Sequence, residues 1–196
     1  LPAMAQVEYR AEPPRPLTRF KSDQIALLEK LNRADRRHLG RLPSIIVPER
    51  WGLPELAYSP MPFHSTWAEQ HPKALIVDLP SQVFGAYEHG QLVRWGPVSS
   101  GRAKNVTPSG LFHLNWNARS RRSSIDETWL MEWYYNFHSR RGIAFHKYTL
   151  PGRPASHACV RMLERDARWL FRWGEGWVKR GEQIVRNGTP VLIVGQ

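Results

Sequence analysis

Cysteine is almost absent from this chain, which has a single one, Cys159, among 196 residues. One thiol excludes an intramolecular disulfide, and it leaves any zinc site without the second cysteine of the common structural ligand sets. Apolar runs are also short, and none approaches the ~18 residues that a membrane-spanning helix requires. With 41% hydrophobic residues, the chain is expected to fold around an ordinary hydrophobic core without disulfides or metals.

Acidic residues are scarce relative to basic ones, with 17 Asp and Glu against 28 Lys and Arg and a formal net charge of +11. Such an excess favours nucleic acid, an anionic membrane surface or a carboxylate-rich wall polymer as a partner, although it also serves solubility alone. Zinc-finger ligand spacing and RNA-binding aromatic signatures are both missing from the sequence. We therefore predict a monomer that binds no nucleic acid and has no membrane span.

The first five residues match the end of an export signal. Ala3 and Ala5 fit the A-x-A pattern that precedes signal cleavage, here ahead of Gln6. The pattern predicts an exported protein of the periplasm or cell envelope.

Composition divides the chain into three segments. Residues 1–21 carry several prolines among charges and are predicted to form an extended Pro-rich leader with no core of its own. Residues 22–72 are predicted to form a small helical and irregular segment. Residues 73–196 have the texture of strands and are predicted to form the main domain.

Hydrophobic periodicity predicts a mostly β fold with a few peripheral helices. Six segments are typical of strands by their apolar runs or their alternation: 74–79, 82–87, 91–95, 111–116, 142–148 and 191–194. Two helices are predicted. The first is capped at Ser22 or Asp23 and ends near Gly40, and the second covers 164–173, where apolar residues recur at helical spacing.

The segment 117–141 mixes arginines with tryptophan, tyrosine and phenylalanine. Its length and composition are typical of a loop or lid over a site, although aromatic residues also fill cores. Two of its aromatic residues, Trp133 and Tyr134, are candidates for a groove that holds a second substrate.

Two histidines approach the single cysteine. His146 ends a predicted strand, on the same face as Ala144, and a turn then leads back to His157 and Cys159. The thiolate is the reactive form of cysteine, and its free pKa of about 8.5 leaves little of it at neutral pH. An adjacent imidazole that takes the proton stabilises a thiolate–imidazolium ion pair. The pattern therefore predicts a cysteine nucleophile for acyl transfer.

Neighbouring groups could complete such a site. Ser156, or a backbone carbonyl near Lys147, could orient the imidazole. The consecutive N–H groups of His157, Ala158 and Cys159 could hold the oxyanion of a tetrahedral intermediate, and each such donor contributes about 3–4 kcal/mol.

The run Ser156-His157-Ala158-Cys159-Val160-Arg161 resembles the Ser-His-Gly-Cys-x-Arg signature of the L,D-transpeptidase (YkuD-like) catalytic domain family. Thr107-Pro108-Ser109-Gly110 resembles the family's Thr-Pro-x-Gly turn, and residues 142–146 resemble the strand that carries its histidine. The resemblance covers about residues 73–194, so the predicted main domain is also the predicted catalytic domain.

The resemblance implies a β-sandwich or barrel-like fold and a ping-pong reaction on peptidoglycan stem peptides. The thiolate of Cys159 would attack the carbonyl of the third residue of a tetrapeptide stem, with His146 as the base, and release the terminal D-amino acid. The thioester would then pass to an amine, which makes a cross-link, or to water, which would make the chain an L,D-carboxypeptidase. His157 and Ser156 would shape the site, and no metal or cofactor is implied. Arg161 would bind a stem carboxylate or tie the turn as a structural residue.

Two positions depart from the family pattern. Ala158 stands where the family has glycine, and its methyl group costs on the order of 1 kcal/mol if φ is positive. We therefore predict that Ala158 has a negative φ and still presents its N–H to the oxyanion. Lys147 also replaces a glycine and places a cation near the mouth of the site, as a further substrate-binding candidate.

Three other interpretations remain open. Cys159 could be a buried structural thiol, which is the commonest role of a lone cysteine. His146, His157 and Cys159 could bind zinc, although a His-x-Cys pair is an unusual ligand spacing. The chain could also be a non-catalytic basic protein that binds the cell wall.

Overall fold

The computed structural model describes residues 7–195, and strands account for 39% of it against 19% for helices. The helices within that range are α1 Ser22–Leu31, α2 Arg36–Leu39, α3 Thr66–Glu69 and α4 Glu164–Trp173, with 3-10 turns at Leu17–Arg19 and Glu55–Tyr58. The α4 helix has the predicted bounds. The first helix ends before the predicted Gly40 because Arg33 adopts a positive φ of 52°, and Asp35 then caps the separate helix α2.

The described strands, in chain order, are β1 Tyr9–Glu12, β2 Ile45–Pro48, β3 Lys73–Asp78, β4 Val83–Glu88, β5 Gln91–Ser99, β6 Gly110–His113, β7 Asn117–Arg122, β8 Leu130–His138, β9 Ile143–Lys147, β10 Val160–Met162, β11 Val178–Arg180, β12 Gln183–Arg186 and β13 Pro190–Val194. Nine of them form one sheet in the order β6-β13-β3-β4-β5-β10-β9-β8-β7. The β9–β10 and β3–β13 pairs are parallel, and the other neighbours in this sheet are antiparallel.

The two ends of this sheet are joined by residues 114–116. The N–H of Leu114 donates to the carbonyl of Thr189 beside β13, whereas the N–H of Asn115 donates to the carbonyl of Asn136 on β8, both at 2.8 Å. One chain segment therefore passes from β6 at one edge to β7 at the other, and the sheet curls on itself. The predicted mostly β, barrel-like fold is confirmed.

The main hydrophobic core lies inside this curl. Strand β9 shows how alternation positions the site, since Ile143 and Phe145 belong to the core while His146 faces the other way with Ala144. Helix α4 packs against β8 and β9 and contributes its buried Ala167 and Leu170 to this core.

Residues 7–72 pack against the outside of the sheet. Strand β1 pairs antiparallel with β2, so the predicted leader contains a paired strand, and a 3-10 turn follows at Leu17–Arg19. Lys30 of α1 is buried, contacts Glu55 and lies 4.9 Å from the ring centre of Trp95 on β5. The export pattern at residues 1–6 lies outside the described residues, and the division into three segments stays a prediction.

The prediction of a loop or lid over residues 117–141 was wrong for most of the segment. Strands β7 and β8 form an antiparallel hairpin here, because the aromatic residues of β8 supply core surface. Trp133, Tyr134, Tyr135 and Phe137 are all buried. Within this segment, only the hairpin tip, residues 123–129, and the turn at 139–141 lie outside the strands. No helix within residues 7–195 is long and apolar enough to cross a membrane.

Candidate active site

The histidine and the cysteine lie on neighbouring parallel strands. In the β9–β10 register, His146 is opposite Arg161 and Phe145 is opposite Val160. Cys159 immediately precedes β10, so alternation places Cys159 and Arg161 on the same sheet face as His146. The intervening Val160 points into the core, so Cys159 and Arg161 on either side of it point away from the core.

A small cavity of about 50 Å³ brings the predicted catalytic residues together. Its lining residues are Ser123, Ile125, Trp129, Met131, His146, Tyr148, Ser156, His157, Cys159 and Arg161. Three of these residues belong to the tip of the β7–β8 hairpin: Ser123, Ile125 and Trp129. The part of segment 117–141 that covers the site is therefore this tip rather than the buried aromatic residues of β8.

The turn that carries Cys159 is held from both sides. The hydroxyl of Ser156 donates to the carbonyl of Cys159, and the hydroxyl of Thr107 donates to the carbonyl of Ala158 at 2.7 Å. The N–H of Gly101 donates in turn to the Thr107 oxygen at 2.9 Å. A side chain at Gly101 would meet the backbone oxygen of Asn105 at 1.9 Å, so the chain approaches this turn too closely for any residue except glycine.

Ala158 adopts a positive φ of 92°, and the prediction of a negative φ was wrong. The turn must reverse between Ser156 and β10 while both flanking carbonyls are held by hydroxyl groups. These constraints impose a backbone conformation suited to glycine. Among the described residues, no protein acceptor is bonded to the N–H of His157 or Ala158.

The imidazole of His146 is oriented by a backbone carbonyl. Its Nδ1 lies 2.9 Å from the carbonyl oxygen of Lys147, and because a carbonyl can only accept, Nδ1 carries the hydrogen and Nε2 is free to accept a proton. Burial lowers the pKa of His146 to about 4, while the bond to Lys147 acts in the opposite direction and Arg161 adds to the decrease. The ring is therefore neutral at pH 7.

The thiol of Cys159 is also held in its neutral form. Its Sγ lies 3.9 Å from the carbonyl oxygen of Gly142. Burial raises the pKa of the thiol, although the backbone N–H of Ala144 and the cations Arg161 and Arg121 act to lower it. The expected thiolate–imidazolium ion pair is therefore not the resting state, because burial disfavours the charged form of each partner.

His157 lies in the same cavity with a different partner. The guanidinium of Arg102 donates to its Nε2 at 2.6 Å, so the hydrogen of the neutral ring is on Nδ1, and this buried atom has no hydrogen-bond partner. Burial, followed by the cations Arg102 and Arg161, lowers the pKa of His157. The Trp129 ring of the hairpin tip lies 5.2 Å from the imidazole.

Arg161 is a cation without a carboxylate partner among the described residues. Its guanidinium lies 4.6 Å from the ring centre of Tyr148 and makes one long hydrogen bond, of 3.4 Å, to the carbonyl of Thr149.

Three predicted substrate-binding residues are not among those that line this cavity. Lys147 points away from Cys159 and is bonded to Glu132 at 2.7 Å and paired with Glu164 at 3.3 Å. Trp133 is buried against Phe171, and Tyr134 is buried and donates to the carbonyl of Gly142. None of the three lines the cavity around Cys159, although the Tyr134 hydroxyl and the Cys159 thiol share the Gly142 carbonyl as acceptor.

Sequence reasoning missed several residues of the site. Thr107 was recognised only as part of the Thr-Pro-x-Gly turn. The position of that motif ahead of the cysteine in the sequence could have indicated that Thr107 belongs to the site. Arg102, Trp129 and Tyr148 had no local motif that would identify them. Within residues 7–195 there is no group of three or more His, Cys, Asp or Glu residues that could hold a metal ion.

Residues 72–193 match the model of the L,D-transpeptidase catalytic domain family. The chain belongs to this family. No curated protein matches it. Residues 7–71, which pack against the sheet, lie outside the family match.

Solved structures of the same fold come from several bacteria. An L,D-transpeptidase from Xylanimonas cellulosilytica is 30% identical, with a TM-score of 0.52 over 71% of this chain and 66% of that one. One from Stackebrandtia nassauensis is 22% identical, with a TM-score of 0.52 over 64% and 57%. One from Mycobacterium smegmatis is 16% identical, with a TM-score of 0.52 over 63% and 59%. The chain thus spans less than two thirds of each of these relatives.

Proposed function

We propose that this chain is an L,D-transpeptidase, a cysteine acyl transferase that acts on peptidoglycan stem peptides. One observation carries the proposal: the thiol of Cys159 and the imidazole of His146 share one cavity on a family fold. Nδ1 of that imidazole is bonded to the Lys147 carbonyl, which leaves Nε2 for proton transfer.

The first half-reaction starts from the neutral pair. As the thiol sulfur attacks the carbonyl carbon of a stem peptide, its proton passes to Nε2 of His146, which becomes imidazolium. Proton transfer is coupled to attack because burial disfavours the separate thiolate and imidazolium. The N–H groups of His157 and Ala158, together with that of Cys159, stabilise the oxyanion as it forms.

Collapse of the tetrahedral intermediate breaks the C–N bond, the imidazolium protonates the leaving D-amino acid, and the Cys159 thioester remains. The second half-reaction resolves this thioester. An acceptor amine then gives a proton to His146, attacks the thioester carbon and expels the Cys159 sulfur, which regains its proton. The products are a new amide bond and the original enzyme.

Arg161 supplies a recognition group for the stem. Its guanidinium has no carboxylate partner among residues 7–195 and lines the cavity beside Cys159. A planar guanidinium suits bidentate contact with a carboxylate. We assign Arg161 to the binding of a stem carboxylate rather than to a structural role in the cysteine turn.

Incubation with a defined tetrapeptide muropeptide, followed by mass spectrometry, tests this proposal. The wild type is expected to release the terminal D-amino acid and form cross-linked dimers, whereas Cys159→Ala and His146→Gln form none. His64→Gln changes an exposed histidine and is the matched control that keeps activity. Tripeptide products without dimers would identify a carboxypeptidase, and binding without turnover in the wild type would identify a wall-binding protein.

Export is proposed on the Ala3 and Ala5 pattern alone. Protein isolated from its native envelope fraction is expected to begin at Gln6. Recovery from the cytoplasm with residues 1–5 intact would contradict export.

A further inference from the structure

A second and much larger cleft, of about 990 Å³, opens beside the cysteine cavity. Tyr148 lines both spaces, so the two spaces are adjacent at this residue. One wall is a face of α4, and the opposite wall is formed by the end of α1 and the start of α2.

The α4 wall is an arginine face. Arg165, Arg168, Trp169 and Arg172 all line the cleft, and their spacing of three, four and seven residues puts them on one side of the helix. The opposite side of α4 is the one buried in the core. Arg36 and Arg37 at the start of α2 face this wall across the cleft.

Most of the carboxylates that line the cleft already have a basic side chain of this protein as partner. Glu29 pairs with Arg165 at 2.8 Å, Glu132 with Lys147 at 2.7 Å, and Asp35 with His38 at 2.9 Å. By contrast, four guanidinium groups have no carboxylate partner among the described residues, and all four are exposed: Arg36, Arg37, Arg168 and Arg172. The cleft therefore has free cationic groups on both walls.

Trp169 lies between these cations, and its ring is already engaged. It stacks on Trp173 with centres 4.9 Å apart and planes inclined by 19°, and the Arg94 guanidinium lies 5.1 Å from its centre. The unpaired guanidinium groups around it suit carboxylates in a bidentate contact.

We propose that this cleft binds a carboxylate-bearing glycopeptide strand, the wall polymer whose stem enters the cysteine cavity. The inference rests on the proposed function and extends it to the neighbouring sugars and stems of the same polymer. Because the two spaces are adjacent at Tyr148, one polymer can occupy both. The wall that contains Arg36 and Arg37 lies outside the family match at 72–193, so it is a feature of this chain's additional segment.

Binding measurements in a Cys159→Ala background test the cleft without turnover. The probes are a free tetrapeptide stem, a glycan fragment that carries several tetrapeptide stems, and linear polyphosphate. The paired variants Arg36→Gln/Arg37→Gln and Arg168→Gln/Arg172→Gln each remove two free cations. Arg180→Gln/Arg186→Gln removes two exposed cations from the β11–β12 hairpin and is the matched control.

Each of the two double variants in the cleft is expected to bind the multi-stem fragment about tenfold more weakly than the Cys159→Ala background does, and its affinity should depend less on salt. The affinity for the free stem should stay unchanged. Affinity for the fragment that is equal in all variants would overturn the proposal. Tighter, arginine-dependent binding of polyphosphate would overturn it in favour of a phosphate polymer. Arginine-dependent fragment binding without turnover by the wild-type chain would refute the proposed function while the cleft site stands.

Discussion

The hydroxyl of Thr107 donates a 2.7 Å hydrogen bond to the carbonyl oxygen of Ala158, the residue before the cysteine. This bond joins the Thr-Pro-x-Gly turn to the turn of the nucleophile, two motifs that are about 50 positions apart in sequence. Thr107→Val removes the donor to this carbonyl and also the acceptor of the Gly101 N–H, which leaves both buried groups unpaired. We expect a loss of about 1–3 kcal/mol in the free energy of unfolding and a fall in kcat, because the oxyanion N–H groups lose their position.

Urea denaturation and transpeptidation kinetics measure both effects. Thr107→Ser keeps the hydroxyl and should recover most of the activity. Thr149→Val makes the same change at an exposed position, and as the control it should leave stability and kcat near the wild-type values. Wild-type kinetics in Thr107→Val would show that this bond does not position the turn.

Ala158→Gly should stabilise the protein. With φ at 92°, alanine is in a region that favours glycine, and relief of this strain should outweigh the greater freedom of glycine in the unfolded chain, for a net gain of about 1 kcal/mol. The urea midpoint is expected to rise without loss of activity. Ala118→Gly, in an ordinary strand position of β7, should lower it. A lower midpoint for Ala158→Gly would mean that the methyl group's packing in the core outweighs the strain.

Sequence patterns predicted most of the sheet and the chemistry but not the partners of individual groups. Alternation placed His146 on the face opposite Phe145, and the Ser156–Arg161 signature placed the nucleophile, because both depend on local spacing. Trp133 and Tyr134 were assigned to a lid because aromatic composition alone does not distinguish a core strand from a cover. The orphaned Nδ1 of His157 and the neutral Cys159–His146 pair depend on burial, which arises only when distant strands pack.

Burial of neutral His146 should make stability depend on pH. The unfolded chain takes up this proton as the pH falls through 6.5, whereas the folded protein takes it up only near a pKa of about 4. The contribution is complete above pH 6.5 and is lost progressively between pH 6.5 and 4, for a total on the order of 3 kcal/mol. As the pH falls over this range, the free energy of unfolding of the wild type should fall by this amount relative to that of His146→Gln. Parallel curves would contradict a depressed pKa.

Alkylation of Cys159 by iodoacetamide should report the neutral resting state. Since burial raises the pKa of the thiol, the alkylation rate should reach half its maximum at a higher pH than it does for a cysteine in an unfolded peptide. Arg161→Gln removes a cation that lowers this pKa and should move the midpoint further up, whereas Arg180→Gln should not. A rate plateau reached near neutral pH would contradict the neutral resting state and would support a thiolate–imidazolium ion pair.

Asp35 should connect the N-terminal segment to catalysis. One carboxylate oxygen accepts from the N–H of Leu150 at 2.8 Å, the other caps α2 through His38, and the Asp35 N–H donates to the Leu150 carbonyl at 2.9 Å. Leu150 lies on the loop between His146 and the cysteine turn. Asp35→Ala removes the cap, worth about 1 kcal/mol, and leaves a buried N–H unpaired at a cost of about 1–3 kcal/mol. We expect lower stability and a lower kcat.

The matched control Asp23→Ala changes an exposed carboxylate on α1 and should leave kcat unchanged. Asp35→Asn, which can still accept one of these bonds, should recover part of both losses. If Asp35→Ala lowers the denaturation midpoint while kcat stays at the wild-type value, the segment stabilises the fold without positioning the site. A fall in kcat at temperatures where the variant is fully folded shows instead that residues outside the family match hold the loop that connects the base to its nucleophile.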